Sequence, residues 1–340
     1  MIVLKQKVIA GLGIMAITIP LVACASASEA SQPPSASRAL PVEGYLMTAD
    51  GASKFVDQSA AALAMVGVDG INLTPDGAGL TEMPASAAPI VAATHAHGLT
   101  AELLVGNFDK TIEDFSPEIA TALLSSPSNR TKVIKLLVDD VVRGGYDGLQ
   151  LDMESLNASH GAGLASFAKD LKAALPAKTK LSMALMATDT AAGYADEGYQ
   201  LTALNKSVDR FVLMAYDQHG PTWTEAGPIG GSPWVKSVLG AFIAAGAPKS
   251  KIDLGVAEYA YTWPGNGTPG EQLTVAQARA KAGNKARFDA VQGEWTATLS
   301  DGTVIWWSDA LTLAGRTKMA QQYGVHGLAI WELSLGDPLV

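Results

Sequence analysis

The sequence carries a single cysteine among 340 residues. No intrachain disulfide can form, and a zinc site built from several thiolates is excluded. Charged side chains are scarce at 17%, and acids outnumber bases by 33 to 24, for a net charge of −9. General nucleic-acid binding needs a surplus of Lys and Arg to displace counterions, so no nucleic-acid partner is expected. A glycine-rich phosphate loop is missing, which argues against a nucleotide-binding open sheet. No cofactor and no metal are expected. The chain is nevertheless 48% hydrophobic, which suits a large buried core and excludes a disordered chain. The length fits either two domains of about 150 residues or one barrel of about 250–300.

The N-terminus reads as an export signal. Lys5 and Lys7 precede an apolar run from Val8 to Ala23. Those 16 residues are short for a membrane-spanning helix, which needs about 20, and suit a signal-peptide core. The following Leu21-Val22-Ala23-Cys24 resembles the lipobox of bacterial lipoproteins, in which the cysteine is lipidated. The alternative is ordinary signal cleavage, because Ala23-Cys24-Ala25 also reads as A-x-A. Loss of residues 1–23 removes Lys5 and Lys7 and moves the charge from −9 to −11. Residues 24–40 hold Cys24 and a Ser/Ala/Pro-rich stretch with Pro33-Pro34 at its middle, expected to be a tether. A lipidated Cys24 would hold the domain at a membrane surface in the cell envelope.

From Pro41 onward, short apolar runs alternate with longer helical patterns, so residues 41–340 are expected to form one domain. Strands are expected at Glu43–Thr48, Gly70–Leu73, Thr100–Gly106, Gly148–Met153, Lys180–Met186, Arg210–Ala215, Lys251–Ala257 and Gly327–Trp331. Helices are expected at Ser59–Val66, Pro84–His95, Arg130–Arg143, Gly163–Leu175, Pro233–Ala244 and Ala310–Tyr323. In the third of these, Val133, Leu136, Leu137 and Val141 fall on one side, and Gly144-Gly145 supplies the stop. Strands alternating with helices imply parallel pairing. Eight repeats predict an α/β fold of the closed (β/α)8, or TIM, barrel type. Trp295 to Trp307 alternates around Asp301-Gly302, a hairpin signal, and predicts a small hairpin insertion between the seventh and eighth strands.

The fourth run ends in Tyr146-Asp147-Gly148-Leu149-Gln150-Leu151-Asp152-Met153-Glu154. Strand alternation puts Gln150, Asp152 and Glu154 on one face and Leu149, Leu151 and Met153 on the other. In a barrel the apolar set packs on the helices and the polar set points into the mouth. Two enclosed carboxylates raise each other's pKa, which keeps a Glu protonated near neutral pH as a general acid. The bland alternative is an acidic strand end facing water. Asp147 has the opposite parity and is read as structural.

Here the sequence resembles glycoside hydrolase family 18, whose fourth-strand motif is D-G-x-D-x-D-x-E. Asp147, Gly148, Asp152 and Glu154 match, and Gln150 stands in place of the middle Asp. Met214-Ala215-Tyr216-Asp217 resembles the family's sixth-strand M-x-Y-D. Residues Leu254 to Trp263 resemble its seventh-strand segment, and Gly327-Leu328-Ala329-Ile330-Trp331 its eighth. Within the family the chain looks most like the spore-cortex N-acetylglucosaminidase branch, which shares the Trp306-Trp307-Ser308-Asp309-Ala310 type of segment and a terminal W-x-L-x-x-x-D-P.

The resemblance implies substrate-assisted, retaining cleavage of β-linked N-acetylglucosamine glycans, either peptidoglycan fragments or chitin oligomers. It implies that Glu154 is the acid and base, and that Asp152 orients the 2-acetamido group and stabilises the oxazolinium intermediate. Tyr216 would hydrogen-bond the acetamido carbonyl, Asp217 would set the site's electrostatics or touch the sugar, and Trp331 would form the apolar floor. Gln150 is expected to hydrogen-bond Asp152, and its presence puts the family's three-Asp proton shuttle in doubt. Tyr259, Trp263 and His219 are further candidates for substrate contact, with packing as the alternative for the two aromatics. His95 and His97 are two apart with no acidic partner evident in the sequence, which leaves them a poor metal site. Asn129-Arg130-Thr131 and Asn266-Gly267-Thr268 fit a glycosylation pattern that would be idle in a bacterial lipoprotein. Two other functions compete with hydrolysis of acetylated glycans: non-catalytic sugar binding on the same fold, and hydrolysis of a glucosamine exopolysaccharide. A monomer is expected.

Overall fold

Parallel strands whose neighbours are joined by helices can bury both faces only by closing on themselves or by being covered on both sides. Here they close. The computed structural model describes residues 39–340, which make one compact unit. The expected signal, Cys24 and all but the last two residues of the expected tether lie outside the described residues. Among the described residues no helix is long and apolar enough to cross a membrane.

The barrel strands are Val42–Met47, Met65–Asn72, Thr100–Gly106, Gly148–Asp152, Lys180–Met186, Arg210–Met214, Ile252–Ala257 and Gly327–Trp331. They pair in chain order, and the first closes on the eighth through Val42↔Leu328, Glu43↔Ala329 and Gly44↔Ile330. Alternation sorts each strand's residues. On the fourth, Leu149 and Leu151 are fully buried in the core between barrel and helices, and Met153 joins them just beyond the strand. Gln150 and Asp152 point inward.

The helix Pro127–Gly144 shows how local signals set the frame. Ser126 caps it by accepting from the Asn129 amide, Pro127 sits where no donor is missed, and Gly145 ends it in the left-handed conformation at φ 71°. Val133, Leu137 and Val141 are buried, but Leu136 is 39% exposed. The buried stripe is therefore narrower than expected on that helix.

Two expectations are corrected. The stretch Ser59–Val66 is not a helix. The helix is Ser53–Ser59, followed by a short 3-10 turn at Ala60–Ala62. The alanines favour a helix, but Met65 onward is captured by pairing with both neighbouring strands. The insertion after the seventh strand is also larger than a hairpin. The expected hairpin exists, with Trp295 opposite Trp307 and Gly302 at φ 85° in its turn. It belongs to a five-stranded antiparallel sheet together with Ala260–Trp263, Gln272–Leu273 and Arg287–Asp289. A helix, Val275–Ala282, packs on it through a separate small core that includes Val275, Ala278, Ile305 and Trp307.

Inside the barrel the layers differ in chemistry. The N-terminal floor is ionic. Arg210 reaches Glu43 at 2.5 Å, Glu102 at 2.5 Å and Asp253 at 2.6 Å, all nearly buried. Burial pushes the Glu43 carboxyl up to about 8, against the opposing pull of Arg210. Above the floor lies an apolar layer of Tyr45, Leu104, Ala184, Val212 and Ala329. Gly67 is required beside it, because a Cβ there would sit 2.3 Å from the Tyr45 ring. The mouth lies above that layer.

Candidate active site

The C-terminal mouth of the barrel encloses a cavity of about 480 Å³. Asp152 and Glu154 enter it from the fourth strand, Met214, Tyr216 and Asp217 from the sixth, and Trp331 from the eighth. The structure thus gathers five of the sequence-selected residues, Asp152, Glu154, Tyr216, Asp217 and Trp331, from three strand ends. The Trp331 ring lies 5.6 Å from the Tyr45 ring at 48°. Tyr216 is seated by Gly255, where a Cβ would fall 2.9 Å from its ring.

The electrostatics of the mouth are those of unpaired acids. Burial pushes Glu154 well above the usual carboxylate range, and the charges of Asp152, Asp217 and Asp114 push in the same direction. Burial raises Asp152 to about 7, with a further push from Asp69. The Asp152 Oδ1 atom is buried and has no hydrogen-bond partner among the described residues. Asp69 itself, on the second strand, lines the cavity and is raised to about 6 by burial and by Glu332. Within this group Glu154 holds its proton at neutral pH, which is what a proton donor needs, while Asp69, at about 6, is largely ionised.

Several groups that the sequence reading did not single out hold these side chains in place. Asn107 is fully buried and grips the backbone of Glu154. Its Oδ1 accepts from the Glu154 amide at 2.9 Å, and its Nδ2 donates to the Glu154 carbonyl at 3.0 Å. Tyr199 donates to the Met153 carbonyl at 3.0 Å. Ser155, next in the chain, adopts φ 54°, and Asp217 adopts φ 59°. Both are in the left-handed region, which costs a side-chain-bearing residue unless its surroundings enforce it.

Four of the sequence-selected residues sit elsewhere than expected. Tyr259 does not line the cavity; its hydroxyl donates to Asp217 Oδ1 at 2.5 Å, and Tyr261 donates to the same atom at 3.0 Å. Both act on the cavity through Asp217. Trp263 is also outside the lining, and its Nε1 donates to the carbonyls of Gly220 and Thr224, tying down the loop after the sixth strand. His219 packs its ring over Gly227, where a Cβ would lie 2.5 Å away, and does not line the cavity. Gln150 borders the cavity but bonds downward. Its Oε1 accepts from Tyr45 at 3.0 Å, and its Nε2 donates to Ser182 at 2.9 Å and Glu102 at 3.1 Å. It does not bond Asp152. His95 and His97 do have acidic partners, Asp147 at 3.0 Å and Asp57 at 2.8 Å. Asp147 also accepts from the Ala101 amide, a structural role between strands.

The comparisons with known proteins agree with this geometry. The family model for glycosyl hydrolases family 18 matches residues 93–336. The chain belongs to that family. This family 18 protein is a glycoside hydrolase, and its closed barrel is the fold of its solved relatives. It is 24% identical to the uncharacterized glycosylase YvbX of Bacillus subtilis over 68% of this chain and 70% of that one. The cortical fragment-lytic enzyme of the same organism is 24% identical over 72% of this chain, which spans only 59% of that protein's length. The spore cortex-lytic enzyme SleL of Bacillus cereus superposes with a TM-score of 0.77 at 21% identity, covering 89% of this chain and 73% of SleL. A chitinase from Chromobacterium violaceum gives 0.77 at 26% identity, covering 88% and 96%.

Proposed function

We propose that this family 18 hydrolase cleaves β-linked N-acetylglucosamine glycans with retention of configuration, using the substrate's own acetamido group as nucleophile. The observation that carries this reading is the meeting of a proton-holding Glu154 with Asp152, Tyr216 and Trp331 in one sugar-sized cavity. Glu154 donates its proton to the glycosidic oxygen as the bond from that oxygen to the anomeric carbon breaks. The acetamido carbonyl oxygen attacks the same carbon and closes an oxazolinium ring. Asp152, ionised, balances the positive charge that develops on the acetamido nitrogen. The Tyr216 hydroxyl donates to the acetamido oxygen and holds it for attack. The Glu154 carboxylate then takes a proton from water, which opens the ring and restores the starting state. Trp331 supports the apolar face of the sugar. Asp217, held by two tyrosine hydroxyls, keeps the acid's surroundings negative.

The substrates proposed are peptidoglycan fragments and chitin oligomers. Relatives named for cortex-lytic and chitinase activity support that range. With residues 1–23 read as a lipoprotein signal, the site of action proposed is the cell envelope, with Cys24 as the lipid anchor. The test is Glu154→Gln, assayed on defined glycan oligomers with products read by mass spectrometry. Turnover is expected to fall by at least about 10³-fold while oligomer binding persists. Turnover equal to wild type, or a wild type that cleaves no such glycan, overturns the proposal.

A further inference from the structure

Among the described residues the cavity lining contains four carboxyl groups, Asp69, Asp152, Glu154 and Asp217, and a single cation, Lys110. The cation sits on a small hairpin that follows the third strand. In that hairpin Phe108 pairs with Phe115 and Asp109 with Asp114. The two phenylalanine rings meet edge to face at 5.6 Å, and both line the cavity. The hairpin is rooted on the same residue that grips Glu154. Asn107 Nδ2 donates to the Ser116 carbonyl at 2.8 Å, and the Phe108 amide donates to Asn72 Oδ1 at 3.2 Å. The position of Lys110 is thus tied to that of the acid through one buried side chain.

The acids that flank Lys110 in sequence form no ion pair with it among the described residues. Asp109 Oδ1 accepts from the Thr111 amide at 2.8 Å, and Asp114 Oδ1 accepts from the Phe115 amide at 2.8 Å. Both carboxylates are engaged in shaping the turn. Among the described residues Lys110 is in no ion pair within 4 Å. A cation with no carboxylate partner at the lip of an acidic cavity is available to a ligand. A neutral acetylated oligomer offers it only hydroxyl and carbonyl acceptors and no opposite charge. A glycan carrying a carboxylate needs it, because the rest of the lining would repel that charge.

We propose that Lys110 is a specificity-determining residue that receives a carboxylate on the substrate, namely the lactyl carboxylate of N-acetylmuramic acid next to the cleaved N-acetylglucosamine. The inference rests on the hydrolase reading above and, because a stem peptide takes up that carboxyl as a neutral amide, selects peptide-free peptidoglycan strands over chitin oligomers within it. Phe108 and Phe115 give the lactyl ether and the sugar an apolar wall, and the ammonium meets the acid group at the rim. The recognition is electrostatic, so added salt weakens it.

The test compares wild type with K110A, K110E and K110R. Three substrates of equal length are used: an N-acetylglucosamine oligomer, a peptide-free strand alternating with N-acetylmuramic acid, and that strand with its carboxylates methyl-esterified. The ratio of kcat/KM for the free-acid strand to that for its ester is expected to fall about five- to tenfold in K110A. It should fall further in K110E, stay near wild type in K110R, and shrink for wild type in about 0.5 M salt. An unchanged ratio in K110E overturns the inference while leaving the hydrolase reading intact. Binding of the same strands, measured by calorimetry, separates the two ideas in the other direction. If wild type cleaves none of them the hydrolase reading falls, and the free-acid to ester affinity ratio in K110E still decides the role of Lys110.

Discussion

Replacing Asp152 with Asn should make this protein more stable and less active, and the gain in stability should depend on pH. In the folded barrel the Asp152 carboxyl is raised from its ordinary 3.8 to about 7 by burial and by Asp69. A raised folded-state pKa means that the native protein holds this proton more tightly than the unfolded chain does. The contribution is therefore fully present below about pH 4 and is lost as the pH climbs toward 7. A move of that size corresponds to about 4 kcal/mol at most. Water in the open cavity screens part of it, and about 2 kcal/mol is a fair expectation. The isosteric amide carries no charge, so D152N should gain about 2 kcal/mol at pH 8 and almost nothing at pH 4. For a barrel of this size that is a rise in Tm of about 4 °C at pH 8. Thermal unfolding followed by circular dichroism at the two pH values measures it. Hydrolysis should drop by about 10²-fold, and its alkaline limb should shift to lower pH, because Glu154 loses one of the charges that hold its proton. An equal change in Tm at both pH values, or a loss at pH 8, would refute the reasoning, since either result means that the carboxylate is not an uncompensated charge in the native state.

Two further perturbations probe the supports of the site. Asn107→Ala removes three side-chain hydrogen bonds, two of them to the Glu154 backbone. About 3 kcal/mol of stability should be lost, and kcat should fall by about tenfold or more with KM changing less. Denaturant titration and steady-state kinetics check this, and a destabilised variant with unchanged kcat would deny Asn107 a positioning role. Arg210→Met leaves Glu43, Glu102 and Asp253 facing one another without their cation. A loss of about 3–5 kcal/mol is expected at pH 7 and a smaller one at pH 4, where protonation relieves the repulsion. Urea unfolding at both pH values reads it out.

Much of the barrel is legible in the sequence because parallel strands write themselves as short apolar runs. Thr100–Gly106, Lys180–Met186 and Gly327–Trp331 coincide with the observed strands end to end. The second strand is the instructive failure. An alanine-rich stretch extends the helical reading to Val66, so the strand is expected to begin only at Gly70. Asp69, an inward-facing member of the mouth, falls in the gap between the two. The insertion is under-read for a different reason. Its edge strands, Gln272–Leu273 and Arg287–Asp289, are two and three residues long and show no periodicity. Arg210 is invisible for a third reason. Its partners Glu43 and Glu102 lie 167 and 108 residues away, and nothing local distinguishes an arginine that will sit on a barrel floor. Asn107 could have been suspected as a polar residue ending an apolar strand, but its grip on Glu154 spans 47 residues.

The barrel holds two groups of carboxylates and treats them in opposite ways, and Gln150 marks the boundary. On the floor Glu43, Glu102 and Asp253 surround Arg210, and Ser182 donates to Glu102 at 2.8 Å. At the mouth Asp69, Asp152, Glu154 and Asp217 share the cavity with Lys110 as its single cation among the described residues. The floor is partly compensated: Arg210 pulls its acids toward the charged form, although burial still holds Glu43 up at about 8. The mouth lacks such a cation among its acids: Glu154 holds its proton, Asp152 titrates near 7, and Asp69, at about 6, is largely ionised at neutral pH. A carboxylate at position 150, as in the motif that this sequence resembles, would stand one strand step below Asp152 and face Glu102, Ser182 and Tyr45. It would add a negative charge between the two groups and couple their titrations. The amide instead donates to the floor and accepts from Tyr45, whose hydroxyl oxygen also lies 3.0 Å from a Glu43 carboxyl oxygen. All of its contacts belong to the compensated side. Asp152 is left with Asp69 as its neighbour and an oxygen that bonds nothing. In this chain the charge around Glu154 therefore comes from the second and sixth strands as well as the fourth, and the proton that Glu154 carries is held first by burial and then by the charges of Asp152, Asp217 and Asp114.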